Sequence, residues 1–169
     1  WGIPQKPGVY KMKNKSGDVI YVGKAKNLKV RLNSYFWNTA DRLQKITDLL
    51  NHVYTIEYEI TGSELAAMLM EYRMIQQYRP KLNQQLEVHE RTTRYGNLKN
   101  FIVILPSSIE ESLELFFVKD ELPLQRYEIL RDAVNFSGVE RILDTNIQNH
   151  NVLTDLEMGE MEIVLSWVE

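Results

Sequence analysis

The sequence predicts an α+β fold divided into two units for this 169-residue chain. Three observations lead there. The first half reads as a hairpin, two helices, a strand and a helix, and the second as strands followed by helix. Residues 87–100, between them, are polar and turn-rich, as a boundary should be. Charge divides at the same place. Residues 1–91 carry 14 Lys/Arg and 9 Asp/Glu, a balance of +5, and residues 92–169 carry 6 and 14, a balance of −8; together they give the net −3.

Taken in order, Gly8–Lys13 alternates in strand fashion after Pro4 and Pro7. Asn14-Lys15-Ser16-Gly17 is a turn, and Val19-Ile20-Tyr21-Val22 a β-branched and aromatic run that Gly23 should end, so the pair predicts a β-hairpin. Asn27 is placed to cap a short helix to about Tyr35, with Leu28 and Leu32 on one face. Thr39 should open a second helix carrying Leu43, Ile46, Leu49 and Leu50. A strand follows from Tyr54 to Thr61. Thr61-Gly62-Ser63-Glu64 has the form of a capping box for a helix through Leu65, Met68, Leu69 and Ile75. That helix must stop at Arg79-Pro80, because the residue before proline avoids helical geometry. Phe101–Leu105 and Leu113–Val118 read as strands, with a third around Arg126–Ile129 after a turn at Lys119-Asp120-Glu121. From Val139 the pattern is amphipathic and helical, with Leu156, Ile163 and Trp167 near one face. The second unit is expected to be acidic on its surface.

Composition mostly excludes. The chain has no Cys, which removes disulfides, thiolate zinc sites and a Cys nucleophile, and fits a cytoplasmic protein. No apolar run approaches the roughly 18 residues that cross a bilayer, and no secretory signal pattern is present. His52, His89 and His150 share no ligand spacing and read as surface or loop residues. The chain begins at Trp1 without Met and stops at Glu169 inside an apolar-periodic segment, which reads as a piece of something longer.

One constellation carries chemistry. Singly, Tyr10 and Tyr21 are packing residues. On paired strands, period two lets them share one face. Lys24, Lys26, Lys29 and Arg31 follow at once, entering a helix N-terminus, where free N–H groups and the macrodipole favour anions. Residues 1–31 hold eight basic side chains and one acid, Asp18. Phenols beside cations and a phosphate-friendly helix start point to phosphodiester chemistry.

These residues also form an ordered series: Gly8-Val9-Tyr10, Tyr21-Val22-Gly23, Gly23-Lys24-Ala25-Lys26-Asn27-Leu28, Arg31, Ser34-Tyr35-Phe36, Ser63-Glu64-Leu65-Ala66-Ala67, Glu71, and Tyr78-Arg79-Pro80-Lys81-Leu82-Asn83. From about Pro4 to Leu86 the chain resembles the GIY-YIG nuclease domain of the UvrC/Cho type. The resemblance implies a short three-stranded antiparallel sheet flanked by helices over residues 1–91. It also implies a metal-dependent DNA endonuclease that nicks one strand in excision-type repair, leaving a 5′-phosphate and a 3′-hydroxyl. One Mg²⁺ or Mn²⁺ would be held by Glu71, which read alone would be a solvated residue on a helix face. Tyr10 or Tyr21 would help to activate water, Arg31 would clamp the scissile phosphate, and Lys24 would assist. Tyr35 and Asn83 would orient phosphate or water; read alone they are a packing residue and a turn residue. Lys24, Lys26, Lys29 and Arg31 would contact DNA. Excision-repair or polymerase-associated proteins are the implied partners, with no membrane.

After Leu86 the match weakens. Tyr95–Phe101 and the two strands after it look like the tail behind GIY-YIG domains fused to DNA polymerase III epsilon-like exonucleases, which would put an exonuclease ahead of Trp1. Residues 92–169 are expected to be an acidic accessory domain, a smaller β-ribbon with helix, that covers the nuclease or contacts a partner. The competing readings are a DNA-binding module without catalysis, against which the presence together of Tyr10, Tyr21, Arg31 and Glu71 argues, an accessory domain of a polymerase III epsilon-like protein, and a protein-interaction domain resting on the acidic half alone, for which no motif speaks.

Overall fold

The computed structural model describes residues 2–37, 44–84, 100–109, 111–119, 122–131 and 153–168. The chain divides into Trp1–Arg91 and Thr92–Glu169. In the first unit, β1 (Gly8–Lys13) and β2 (Val19–Ala25) form the expected hairpin. Asn14 shapes its turn by accepting the Ser16 and Asp18 N–H groups on Oδ1, and Gly17 adopts the positive φ of 89° that glycine takes without strain. Contrary to expectation, Gly23 does not end β2. The strand runs on to Ala25, with Gly23 opposite Tyr10 and Ala25 opposite Gly8. The glycine serves a close approach instead: a Cβ there would overlap the Tyr10 phenol. β3 (Thr55–Ile60) joins the other side of β1, giving an antiparallel sheet of order β2-β1-β3.

The helices cover this sheet. Asn27 caps α1 (Leu28–Trp37) by accepting the Val30 N–H at 3.0 Å. Leu28, Leu32 and Tyr35 of α1 and Leu49 of α2 (Gln44–His52) pack with Tyr10, Met12 and Ala25 into one core. The proposed start of α2 at Thr39, with Leu43, lies outside the described residues. Strand alternation puts Val9 and Val22 on the opposite sheet face, left to α3 (Glu64–Tyr78), which packs on β1 and β2. Its cap differs from the expected box. Ser63, in extended geometry, accepts the Ala66 N–H, while the Thr61 hydroxyl turns to the Ser63 carbonyl. Glu64 is therefore the first helical residue and its carboxylate is free of the capping role. Arg79 ends α3 in the left-handed region at φ 44°, its N–H on the Ile75 carbonyl, and buried Pro80 leads into α4 (Lys81–Gln84).

The second unit holds a sheet of order β4-β5-β6, with β4 Asn100–Pro106, β5 Ser112–Lys119 and β6 Gln125–Leu130. The Leu122 N–H donates to the Lys119 carbonyl. A final helix, α5 (Asp155–Val168), opens with a reciprocal cap between Thr154 and Glu157. The helical expectation for 139–152 lies outside the described residues. Two expectations change. Leu156 is exposed, and Gly159, Glu160, Ile163 and Val164 are the buried set. Nor is all the acidity on the surface: Glu114 and Glu160 are buried, Glu114 completely, with Arg126 as its ion-pair partner. Among the described residues no helix is long and apolar enough to cross a membrane.

Candidate active site

The site grows from the register of the hairpin. Tyr10 faces Gly23 and Met12 faces Tyr21, so the two tyrosines are diagonal neighbours on one sheet face, with ring centroids 6.1 Å apart. With no side chain on Gly23, the Tyr10 ring leans over β2, where α1 meets it. Tyr35, two turns into α1, packs edge-on against Tyr10 at 6.0 Å, and the two hydroxyls are 2.7 Å apart. Arg31, one turn earlier, donates from Nε to the Tyr10 hydroxyl at 3.2 Å, its guanidinium 5.1 Å from the Tyr35 ring centre. Tyr35 and Arg31 also act electrostatically on Tyr21. Three phenols and a guanidinium thus form one network, sequence-distant residues joined by a hairpin and one helix face.

The phenols differ in environment. Tyr10 is buried to 1% exposure, and desolvation, reinforced by Tyr21 and Tyr35, drives its pKa far above the ordinary value near 10. Tyr21 is only part-buried and is pushed up to about 12, first by burial, then by Tyr35, with Arg31 pulling the other way. Glu71 is close enough to raise it further.

Glu71 reaches the cluster because β2 is an edge strand. Val22 and Lys24 are two residues apart, so their N–H groups point the same way, out of the sheet away from β1. Both are taken by side chains. Glu71 of α3 accepts the Lys24 N–H on Oε1 at 2.9 Å. Asn83 of α4 accepts the Val22 N–H at 2.8 Å and donates to the Val22 carbonyl at 2.9 Å. The sheet edge is closed to further pairing, and the carboxylate is within electrostatic reach of Tyr21.

Of the residues singled out from sequence, Tyr10, Tyr21, Arg31 and Tyr35 come together, with Glu71 and Lys24 beside them. Lys26 and Lys29 are exposed at the strand-to-helix connection, on the side from which α1 starts. Asn83 is 4% exposed, and its amide is engaged on both sides by the Val22 backbone, so that it holds β2. Sequence reasoning assigned Glu64 to a cap and missed its partner. Its carboxylate lies 3.9 Å from the Lys24 ammonium. The available signal was its spacing, seven residues before Glu71 and so on the same side of the helix.

Residues 6–84 match the family model for the UvrC-like GIY-YIG domain. The UvrABC system protein C of Thermoanaerobacter sp. (strain X514) is 49% identical over 81 residues, which is 48% of this chain and 13% of that protein. The protein of the same name from Clostridium novyi (strain NT) is 48% identical over the same shares. The chain thus spans 13% of the length of these curated relatives. The crystal structure of the GIY-YIG N-terminal endonuclease domain of UvrC from Thermotoga maritima, bound to magnesium as its catalytic divalent cation, is 38% identical with a TM-score of 0.44. That match covers 48% of this chain and 88% of that one.

Proposed function

With residues 6–84 a UvrC-like GIY-YIG domain, we propose that the chain is a metal-dependent endonuclease that nicks one strand of DNA in excision-type repair. The observation that carries this reading is the junction at the β2 edge, where the Tyr10–Tyr35–Arg31–Tyr21 network meets the Glu71 carboxylate. Arg31 and Lys24 bind the phosphate backbone and offset charge as it builds on the scissile group. Lys26 and Lys29 add sequence-independent attraction.

Tyr21 is the better base of the two tyrosines. A buried phenol already bonded to Tyr35 and Arg31, as Tyr10 is, has neither the room nor the acidity to take a proton from water. Tyr21 is more accessible and lies within electrostatic reach of Glu71. Cationic charge from Arg31 lowers its pKa toward the working range. Tyr10 and Tyr35 then orient Arg31 and Tyr21, and Asn83 keeps β2 in place beneath them.

The donor set fits a hard, hydrated divalent cation. Among the described residues no group of three or more His, Cys, Asp or Glu side chains could hold a metal, and a lone carboxylate suits Mg²⁺, which keeps most of its waters. Glu71 would hold it, and the ion would supply polarisation of a phosphate oxygen.

The test is plasmid relaxation by the full chain. Nicking is expected with Mg²⁺ and not with EDTA, with 5′-phosphate ends. Glu71→Gln, which can still accept the Lys24 N–H, should keep the melting temperature and lose nicking by at least about 10²-fold. Full activity in that variant removes the assignment.

A further inference from the structure

Lys24 is joined to α3 twice. Its backbone N–H goes to Glu71, and its ammonium lies 3.9 Å from the Glu64 carboxylate. Glu64 is the first residue of α3, seven before Glu71, so one side of one helix presents a carboxylate to the lysine's side chain and another to its main chain. The two members of the ion pair are part-exposed, at 35% and 29% of their side-chain surface. A pair so placed is weak, yet it occupies a cation that the nuclease reading assigns to the DNA backbone.

Resting on that reading, we propose that Glu64 is a positioning residue for Lys24: a resident anion, standing where a DNA phosphate will stand, that the substrate must displace. The chemistry is an exchange of one anion for another on a single ammonium. Water screens the outgoing pair, whereas the incoming phosphate belongs to a polyanion that releases condensed counterions when it is neutralised. The exchange therefore favours DNA over small phosphates and carboxylates, which bring no such release. Glu64 is in this sense a discriminator set one side chain away from the site.

The experiment measures binding of the full chain to a short fluorescein-labelled duplex by anisotropy in EDTA, over a series of salt concentrations. Wild type is compared with Glu64→Gln, Lys24→Met and the double variant, and thermal melts check folding. Glu64→Gln should bind about two- to fivefold more tightly at low salt, the range expected when a part-exposed ion pair no longer competes. The slope of log K against log salt should steepen, because the ion pair that opposes binding in wild type is itself screened as salt rises. In the Lys24→Met background Glu64→Gln should have no effect. A purely structural role for Glu64 would move the melting temperature without moving the salt slope. Equal or weaker binding by Glu64→Gln, or the same gain without Lys24, overturns the proposal while wild-type binding keeps the nuclease reading standing. Absence of DNA binding by wild type removes both.

Discussion

Glu71 and Glu114 are both carboxylates set against a three-stranded antiparallel sheet, and they end in opposite states. Glu71 stands at an edge strand, its Oε1 on a backbone N–H and its charge felt by the part-buried Tyr21 phenol. Glu114 lies in the central strand β5, fully buried, with Arg126 crossing from β6 to pair with it and stacking 5.9 Å from the Phe116 ring centre. An edge position lets a side chain satisfy the sheet and still face outward. A central position requires the charge to be neutralised from within. The first arrangement suits chemistry on a ligand; the second suits the interior of the second unit. The +5 and −8 balances of the two halves therefore describe different uses of charge as well as different amounts.

Substitutions can sharpen this contrast or break it. After the Glu71 substitution, the largest effect on nicking is expected from Tyr21→Phe, about 10²- to 10⁴-fold, the usual worth of a general base. The sign of the pH dependence follows from the raised pKa. Near neutral pH the phenol is protonated, so the active fraction, and with it kcat/KM, should rise about tenfold per pH unit between about 7 and 9. Tyr21→Phe should flatten that profile and Tyr10→Phe should keep its slope; the reverse outcome would exchange their roles.

Asn83→Ala comes next. It strands the Val22 N–H and carbonyl at the protected edge, at a cost of about 1–3 kcal/mol of stability, and loosens the strand that carries Tyr21. A melt and a nicking assay should fall together, because the residue acts through β2. Loss of nicking with an unchanged melting temperature would instead return Asn83 to direct contact with the phosphate. The smallest effect on nicking belongs to Arg126→Ala. It leaves Glu114 buried without its cation and should destabilise the second unit by about 1–3 kcal/mol, less than a wholly buried pair because Arg126 is 41% exposed. Nicking should not change. A parallel loss of nicking would show that the two units depend on each other.

Local residue chemistry made much of this legible. The alternation in Gly8–Lys13, the Asn14–Gly17 turn, the Asn27 cap and the stop before Pro80 each depend on neighbours within a few positions, and each element appears where that chemistry puts it. Period two allowed Tyr10 and Tyr21 to share a face, and the hairpin register, with Met12 opposite Tyr21, put them there. Less legible were features whose partners are far along the chain. Gly23 looked like a strand end because the Tyr10 ring that requires it lies on another strand. Asn83 looked like a turn residue because the Val22 backbone it holds is 61 positions away. The helix start fell at Ser63 instead of Thr61, since which of two hydroxyls caps is decided by which residue is extended as the chain leaves β3.

The sequence by itself therefore determined the elements and the division of charge, since propensity, periodicity and charge are local or additive properties, and its resemblance to a known family supplied the candidate site residues. Tertiary structure alone decided which of those residues share an environment. Register and burial separated Tyr10 from Tyr21, the open edge of β2 drew in Glu71 and Asn83, and the length of one helix brought Glu64 to Lys24. Each of these depends on desolvation or on a hydrogen bond between residues far apart in the chain, and neither exists until the chain has folded.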